Sequence, residues 1–260
     1  MGTTGKNNII NEIETSIYEN KLYKIKGPIP IDIINRIIKS LCKIKIKFEE
    51  KTILGFGFFM KISDTKQYLI TNYYIISHES KKMKIELEIW NQKKFKIKLI
   101  KRHIKYFPEP KDITIIEIKV NDEIFPNIEF LNYDLNYKLG YMIYKDIHIF
   151  TLVNPLDKIP TFSTAKIANI NNFEFEYIIQ DDNYSSGCPI ILLNNNPNLI
   201  QVIGINKESN NSNDLKYGTF IGEIFNEDLN KNNNCIIAEL YIKEDDINKN
   251  IRIINSYEGY

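Results

Sequence analysis

Gly55-Phe56-Gly57-Phe58-Phe59-Met60-Lys61-Ile62, then Tyr68-Leu69-Ile70-Thr71-Asn72 and Tyr73-Tyr74-Ile75-Ile76, is the stretch whose reading decides the fold. Its β-branched and aromatic residues give two strand-like runs, Phe56 to Ile62 and Tyr68 to Asn72. Just upstream, Cys42, Ile44, Ile46 and Phe48 alternate with Lys43, Lys45 and Lys47, the period of a half-buried strand. Before that, Ile33, Ile34, Ile37 and Ile38 recur at helical spacing, with Pro30 near the start of a short amphipathic helix within Ile29 to Ser40.

Further strand-like runs follow at Lys84 to Ile89, Phe95 to Ile100 and Ile113 to Val120. A polar, Pro-containing interval, Asn121 to Asn127, precedes a second set. That set comprises Tyr141 to Tyr144, Ile147 to Leu152, Ala165 to Ile170, Phe173 to Gln180, Ile190 to Leu193, Ile200 to Ile205 and Gly218 to Ile221. Many short strands with few helical stretches read as an all-β sandwich or barrel, and two six-stranded barrels would use up these segments. The expected organisation is a helical N-terminal segment over 1–40, a first barrel over 41–122, a second over 123–226, and a linker with a C-terminal hairpin over 227–260. The hairpin would pair Ile236 to Lys243 with Ile251 to Tyr257.

The 260 residues are enough for a core that needs no disulfide staples. Thirty-four basic residues against 33 acidic ones leave a net charge of +1, so no global field draws the chain to nucleic acid or to an acidic membrane. Cys42, Cys188 and Cys235 are odd in number and widely spaced, which argues against a disulfide framework and a structural zinc site. Polar Met1 to Asn8 leads into no long apolar run, so neither a secretory signal nor a membrane span is expected, and the expected location is cytoplasmic.

Taken together, three stretches resemble the trypsin-like serine peptidases of chymotrypsin fold, most closely the intracellular type of protists and large DNA viruses. Gly55 to Ile76 is similar to the family's Gly-x-Gly-Phe-Phe strand and Thr-Asn-x-His-Val turn, with Tyr74 in the histidine slot. Asp112-Ile113-Thr114-Ile115-Ile116 is similar to the strand whose leading aspartate orients that histidine. Ser186, within Ser185-Ser186-Gly187-Cys188-Pro189, stands at the nucleophile position. The order and strand context match, and the likeness runs from about Leu41 to Phe225.

The resemblance implies two antiparallel six-stranded barrels and, in its active members, a Ser-His-Asp mechanism. Serine hydroxyl attacks only when a base with a pKa near neutrality takes its proton, and histidine is suited to that role. A phenol, with an ordinary pKa near ~10, is not, so Tyr74 is a degenerate general-base position. Tyr184 replaces the glycine two residues before the nucleophile, where the family's oxyanion hole has a backbone donor, so it is a degenerate oxyanion-hole position.

His78, four residues after Tyr74, is the alternative base to be tested against a solvated loop histidine. His103 and His148 read as structural or surface residues. Cys188 reads as a small buried residue, and Asp181-Asp182 as either an S1-wall acidic pair or a solvated loop. The expected function is a catalytically impaired pseudopeptidase whose inter-barrel cleft takes an extended peptide or protein ligand, by β-addition near Ile205 to Lys207. No cofactor, metal, nucleic acid or membrane is expected, and the oligomeric state stays open. Two alternatives remain: an active serine endopeptidase with Ser186 as nucleophile, Asp112 and a displaced or missing base, and a structural or assembly protein that uses the barrels as a scaffold.

Overall fold

A computed structural model describes residues 29–48, 51–152, 161–179, 186–193, 200–207, 215–222 and 224–225. The chain divides into two compact units, Met1–Gly222 and Glu223–Tyr260. The expected C-terminal hairpin lies outside the described residues, as do Tyr184, Ser185 and the Asp181-Asp182 pair.

The first element is helix α1, Ile31–Lys39. Pro30 has no N–H to waste at its start, and Ile33 and Ile37 face inward. Ser40 ends the helix by bonding its own Oγ to the Ile37 carbonyl at 2.6 Å, while its carbonyl accepts from Phe59 N at 2.7 Å. The helix end is thereby fixed to the strand that begins the decisive stretch.

Seven strands follow: β1 Leu41–Lys47, β2 Thr52–Ser63, β3 Lys66–Thr71, β4 Lys84–Ile89, β5 Lys94–Lys98, β6 Ile104–Phe107 and β7 Ile113–Glu117. Their hydrogen-bonded order is β5-β4-β1-β2-β3-β7-β6, all antiparallel. Alternation sends Ile44, Ile46, Leu69, Ile85, Leu87 and Ile116 into one apolar core. Gly57 sits where β1 and β3 crowd β2: a Cβ there would meet the Ile70 carbonyl oxygen at 2.8 Å and the Ile44 Cδ1 at 2.9 Å. Among the described residues β5 and β6 do not pair, so this array is seven strands whose ends are not joined by hydrogen bonds.

The second set closes. β9 His148–Leu152, β10 Phe162–Asn171, β11 Glu174–Ile178, β14 Leu215–Phe220, β13 Ile200–Asn206 and β12 Pro189–Leu193 pair in that order, and β12 returns to β9. Each strand of this six-stranded barrel therefore has two neighbours. Phe175, Tyr177, Phe220, Tyr144 and Ile190 fill its core, with the Phe175 and Phe220 rings 4.4 Å apart. A three-residue strand, β8 Leu131–Tyr133, pairs in parallel with both β2 and β13 and joins the two sets into one hydrogen-bonded network.

The fold is thus all-β, as the patterning implied, with one closed six-stranded barrel among the described residues. Two particulars differ. Tyr141–Tyr144, expected as a strand, is a 3-10 turn entered through Gly140 at φ 97°, a backbone state that diverts the chain from an extended path. Ile104–Phe107 and Leu131–Tyr133 are strands that the pattern does not single out. Among the described residues no helix is long and apolar enough to cross a membrane.

Candidate active site

The decisive stretch ends β3 at Thr71 and turns through Asn72, Tyr73 and Tyr74. Thr71 Oγ1 donates to the Phe56 carbonyl at 2.7 Å, and the Ile75 and Ile76 amides return to the Asn72 carbonyl at 3.2 Å. The turn points the Tyr74 amide at the Asp112 carboxylate, which accepts it at 3.0 Å.

Asp112 opens β7 from a left-handed backbone position, φ 52°, that aspartate tolerates better than bulkier residues. Its side chain is all but enclosed, 2% exposed. Burial pushes the carboxyl up to about 6; the Glu109 charge adds to the rise, while the Tyr74 and Tyr73 amides and the Lys207 charge pull against it. No cationic side chain is hydrogen-bonded to it among the described residues. A carboxylate so placed is not in the low-pKa state that a bonded imidazolium would impose.

Ser186 and Gly187 reach the same junction from the second set. The Gly187 amide donates to the Asn206 carbonyl at 3.0 Å, and the Asn206 amide donates back to the Cys188 carbonyl at 3.0 Å. Gly187 has φ 86°, and a Cβ on it would lie 2.1 Å from the Phe56 carbonyl oxygen, so only glycine fits this approach of the two strand sets. Ser186 is buried beside it.

Asn72 is the connector. Its Nδ2 donates to the Asp112 carbonyl and to the Asn206 carbonyl, each at 3.2 Å. Its Oδ1 is buried without a hydrogen-bond partner among the described residues and faces Gly187, 3.3 Å from where a Cβ would stand. Asn206 Oδ1 in turn accepts the buried Tyr177 hydroxyl at 2.6 Å. One side-chain amide thus brings the Tyr74 turn, the Asp112 backbone and the Ser186-Gly187 turn into a single cluster.

Lys207 supplies a second tie. Its ammonium donates to Glu174 Oε1 at 2.6 Å, the Pro110 carbonyl at 2.6 Å and Glu109 Oε2 at 3.2 Å, while Thr219 Oγ1 donates to the Lys111 carbonyl at 2.9 Å. The loop that leads into Asp112 is therefore clamped onto β11 and β14. Sequence patterning singles out neither Asn72 nor Lys207 for the site. The Thr-Asn and Gly-Ile-Asn-Lys contexts are visible there, but their partners lie up to 134 residues away.

Of the expected site residues, Asp112, the Tyr74 backbone and the Ser186-Gly187 turn converge. The Tyr74 side chain is 37% exposed. His78 starts a 3-10 turn, His78–Lys82, and its Nδ1 shares a hydrogen bond with the Tyr73 hydroxyl at 3.0 Å. Its ring lies 4.1 Å from that of Tyr106 on β6. These contacts commit the imidazole to an aromatic cluster with Tyr73 and Tyr106.

Cys188 is fully buried, and burial raises its thiol far above the range of a reactive thiolate. The same holds for Cys42. Ile205 is paired on both sides, with Pro189 and with Thr219, and the Lys207 amide donates to the Tyr217 carbonyl at 2.9 Å. The edge expected to take a peptide near Ile205 to Lys207 is therefore already used at Ile205 and at the Lys207 amide. Among the described residues no group of acidic, histidine or cysteine side chains could hold a metal ion.

No family model matches the sequence, and no curated protein matches it. Solved structures do. The serine endoprotease from Yersinia pestis superposes with a TM-score of 0.54 at 13% identity, over 78% of this chain and 66% of that one, so this chain spans just under two thirds of its length. Catalytically active tobacco etch virus protease in complex with product gives a TM-score of 0.53 at 16% identity, over 76% of this chain and 78% of that one. The closed barrel, the strand order and these superpositions lead to one conclusion: the chain has the trypsin-like fold of the chymotrypsin-type serine proteases.

Proposed function

We propose that this chain is a pseudopeptidase: a serine peptidase homologue that keeps the framework of the site, lacks a general base, and uses the cleft beside Ser186 to hold an extended peptide. The observation that carries the reading is the Asp112 carboxylate, bonded at 3.0 Å to the amide of residue 74, where a tyrosine stands in place of the expected histidine. Engagement of His78 by Tyr73 and Tyr106 supports it, because that imidazole already has other partners. So does the direction of the Asp112 shift, since a buried carboxyl that burial raises more than its amide bonds and the Lys207 charge lower it is what loss of a histidine partner would leave.

In this reading the chain comprises two barrels with the site between them, and Tyr184 removes a glycine from the oxyanion hole. The test is hydrolysis of a denatured protein substrate by wild type and by Ser186→Ala at matched concentration. Equal background rates support the reading, and a rate lost in Ser186→Ala favours the active endopeptidase instead. Isothermal titration with the same substrate cut into peptides would then report whether the cleft binds.

A further inference from the structure

One face of the first array carries a charge that the whole chain does not. Along β1, β4 and β5 the burial pattern turns the isoleucines and leucines inward and the lysines and glutamates outward. Register sets these outward side chains in rows. Lys43 stands opposite Glu88, and Glu88 opposite Lys94; Lys45 stands opposite Glu86, and Glu86 opposite Lys96. Each glutamate therefore lies between two lysines, so the rows carry more positive than negative charge; the Glu88–Lys94 pair is 3.4 Å apart.

The next row sets Lys84 directly against Lys98, a like-charge pair that costs stability, and Lys47 extends β1 opposite Thr52. Seven lysines thus share a face with two glutamates, in a chain whose net charge is +1. Lysines on β5 are accounted for by its place at the edge of the sheet, where they discourage pairing with other chains. That account does not cover β1, which is hydrogen-bonded on both sides, to β2 and to β4.

A second observation lies at the end of the same rows. Trp90, the single tryptophan of the chain, follows Ile89 and continues the outward phase of Lys84, Glu86 and Glu88. It sits in the turn closed by the Ile89 and Gln92 amides and is 49% exposed. An indole left in water beside a positively charged sheet matches what an unpaired base and its phosphate need: a stacking surface and cations spaced along an extended strand.

We propose that the outward face of β1, β4 and β5 binds single-stranded nucleic acid, with its lysines on the phosphates and Trp90 stacked on a base. Net charge hides this face, because the compensating acids lie elsewhere in the chain; the expectation of no nucleic-acid partner rests on that average. Binding here is independent of the pseudopeptidase reading.

Because Trp90 is the only tryptophan, its fluorescence reports this face in the unmodified full chain. Titration with an oligothymidylate at low salt should quench it saturably, and affinity should fall about 100-fold between 50 and 200 mM salt if about five phosphates are neutralised. The double substitution Lys45→Glu, Lys96→Glu should weaken binding at least about 10-fold, whereas Lys138→Glu with Lys166→Glu should leave it unchanged. Fluorescence anisotropy of a labelled oligonucleotide should show Trp90→Ala weakened by about 10-fold, within the range for loss of one stacked base. Thermal melts of each variant separate lost binding from lost fold. The proposal is overturned by no quenching at low salt, by equal weakening in the control variant, or by a Trp90 response to phosphatidylserine vesicles but not to the oligonucleotide.

Discussion

The Tyr74 amide and the Asp112 carboxylate are joined at 3.0 Å, so a buried carboxylate at the opening of β7 is held by the backbone of the turn that follows β3. That geometry depends on the turn after β3 and on Asn72, which donates to the Asp112 and Asn206 carbonyls. This backbone-to-carboxylate bond is the relationship on which the proposed function rests.

Asp112 makes the relationship measurable. Its folded-state pKa of about 6 lies above the ordinary ~3.9 of an unfolded aspartate, so between these values the folded chain binds the extra proton. The contribution of this group to stability is therefore fully favourable below about pH 4 and declines as pH rises to about 6, reaching a cost of about 3 kcal/mol at full ionisation. Asp112→Asn keeps an acceptor for the Tyr74 amide and removes the charge. It should flatten the stability profile across that window and raise the melting temperature at pH 7, as measured by thermal unfolding at a series of pH values. Tyr74→His should lower the Asp112 pKa by giving the carboxylate a cationic partner, as followed by NMR titration.

Arg102 and Asp122 form the opposite case. The guanidinium grips the carboxylate with two bonds, 2.7 and 2.5 Å, and also donates to the Lys98 and Glu117 carbonyls, with the pair 9% and 13% exposed. Burial alone would raise the Asp122 pKa, but the Arg102 and Lys119 hydrogen bonds and charges outweigh it and hold the carboxyl below its ordinary value. This pair therefore stabilises the fold at pH values above the unfolded pKa, and its contribution is lost as pH falls through the folded one. Arg102→Ala should cost about 3–5 kcal/mol in chemical denaturation at neutral pH, because it strands a largely buried carboxylate.

Gly187 tests the joint between the two strand sets. Alanine there must accept φ 86° and must also displace the Phe56 carbonyl, which is backbone and cannot swing aside. Gly187→Ala should destabilise the fold by about 2–5 kcal/mol, the sum of a left-handed backbone cost and an overpacking cost. Urea unfolding measures it, and a loss under about 0.5 kcal/mol would mean that the two sets approach less closely than described.

Much of this architecture is legible in the order of residues alone. β4 runs over Lys84–Ile89 because strict alternation of charge and apolar bulk leaves one way to bury Ile85 and Leu87, and the helix follows from four isoleucines at helical spacing. β8 is not legible: three residues owe their extended form to parallel partners on β2 and β13, a tertiary cause that no local pattern carries. Tyr141–Tyr144 misleads because an apolar run of four does not distinguish a strand from a 3-10 turn. At the site, the motif positions are readable as a likeness. The Asn72, Asn206 and Lys207 ties are not, because each bonds backbone or side chains far away along the chain.

The most direct test of the central claim is labelling by a fluorophosphonate, which captures only a serine activated as a nucleophile. Wild-type protein should show no Ser186 adduct by intact-mass spectrometry at neutral pH, and Ser186→Ala should give the same spectrum. An adduct on wild type that disappears in Ser186→Ala would contradict the account, because it would mean that a base still serves Ser186.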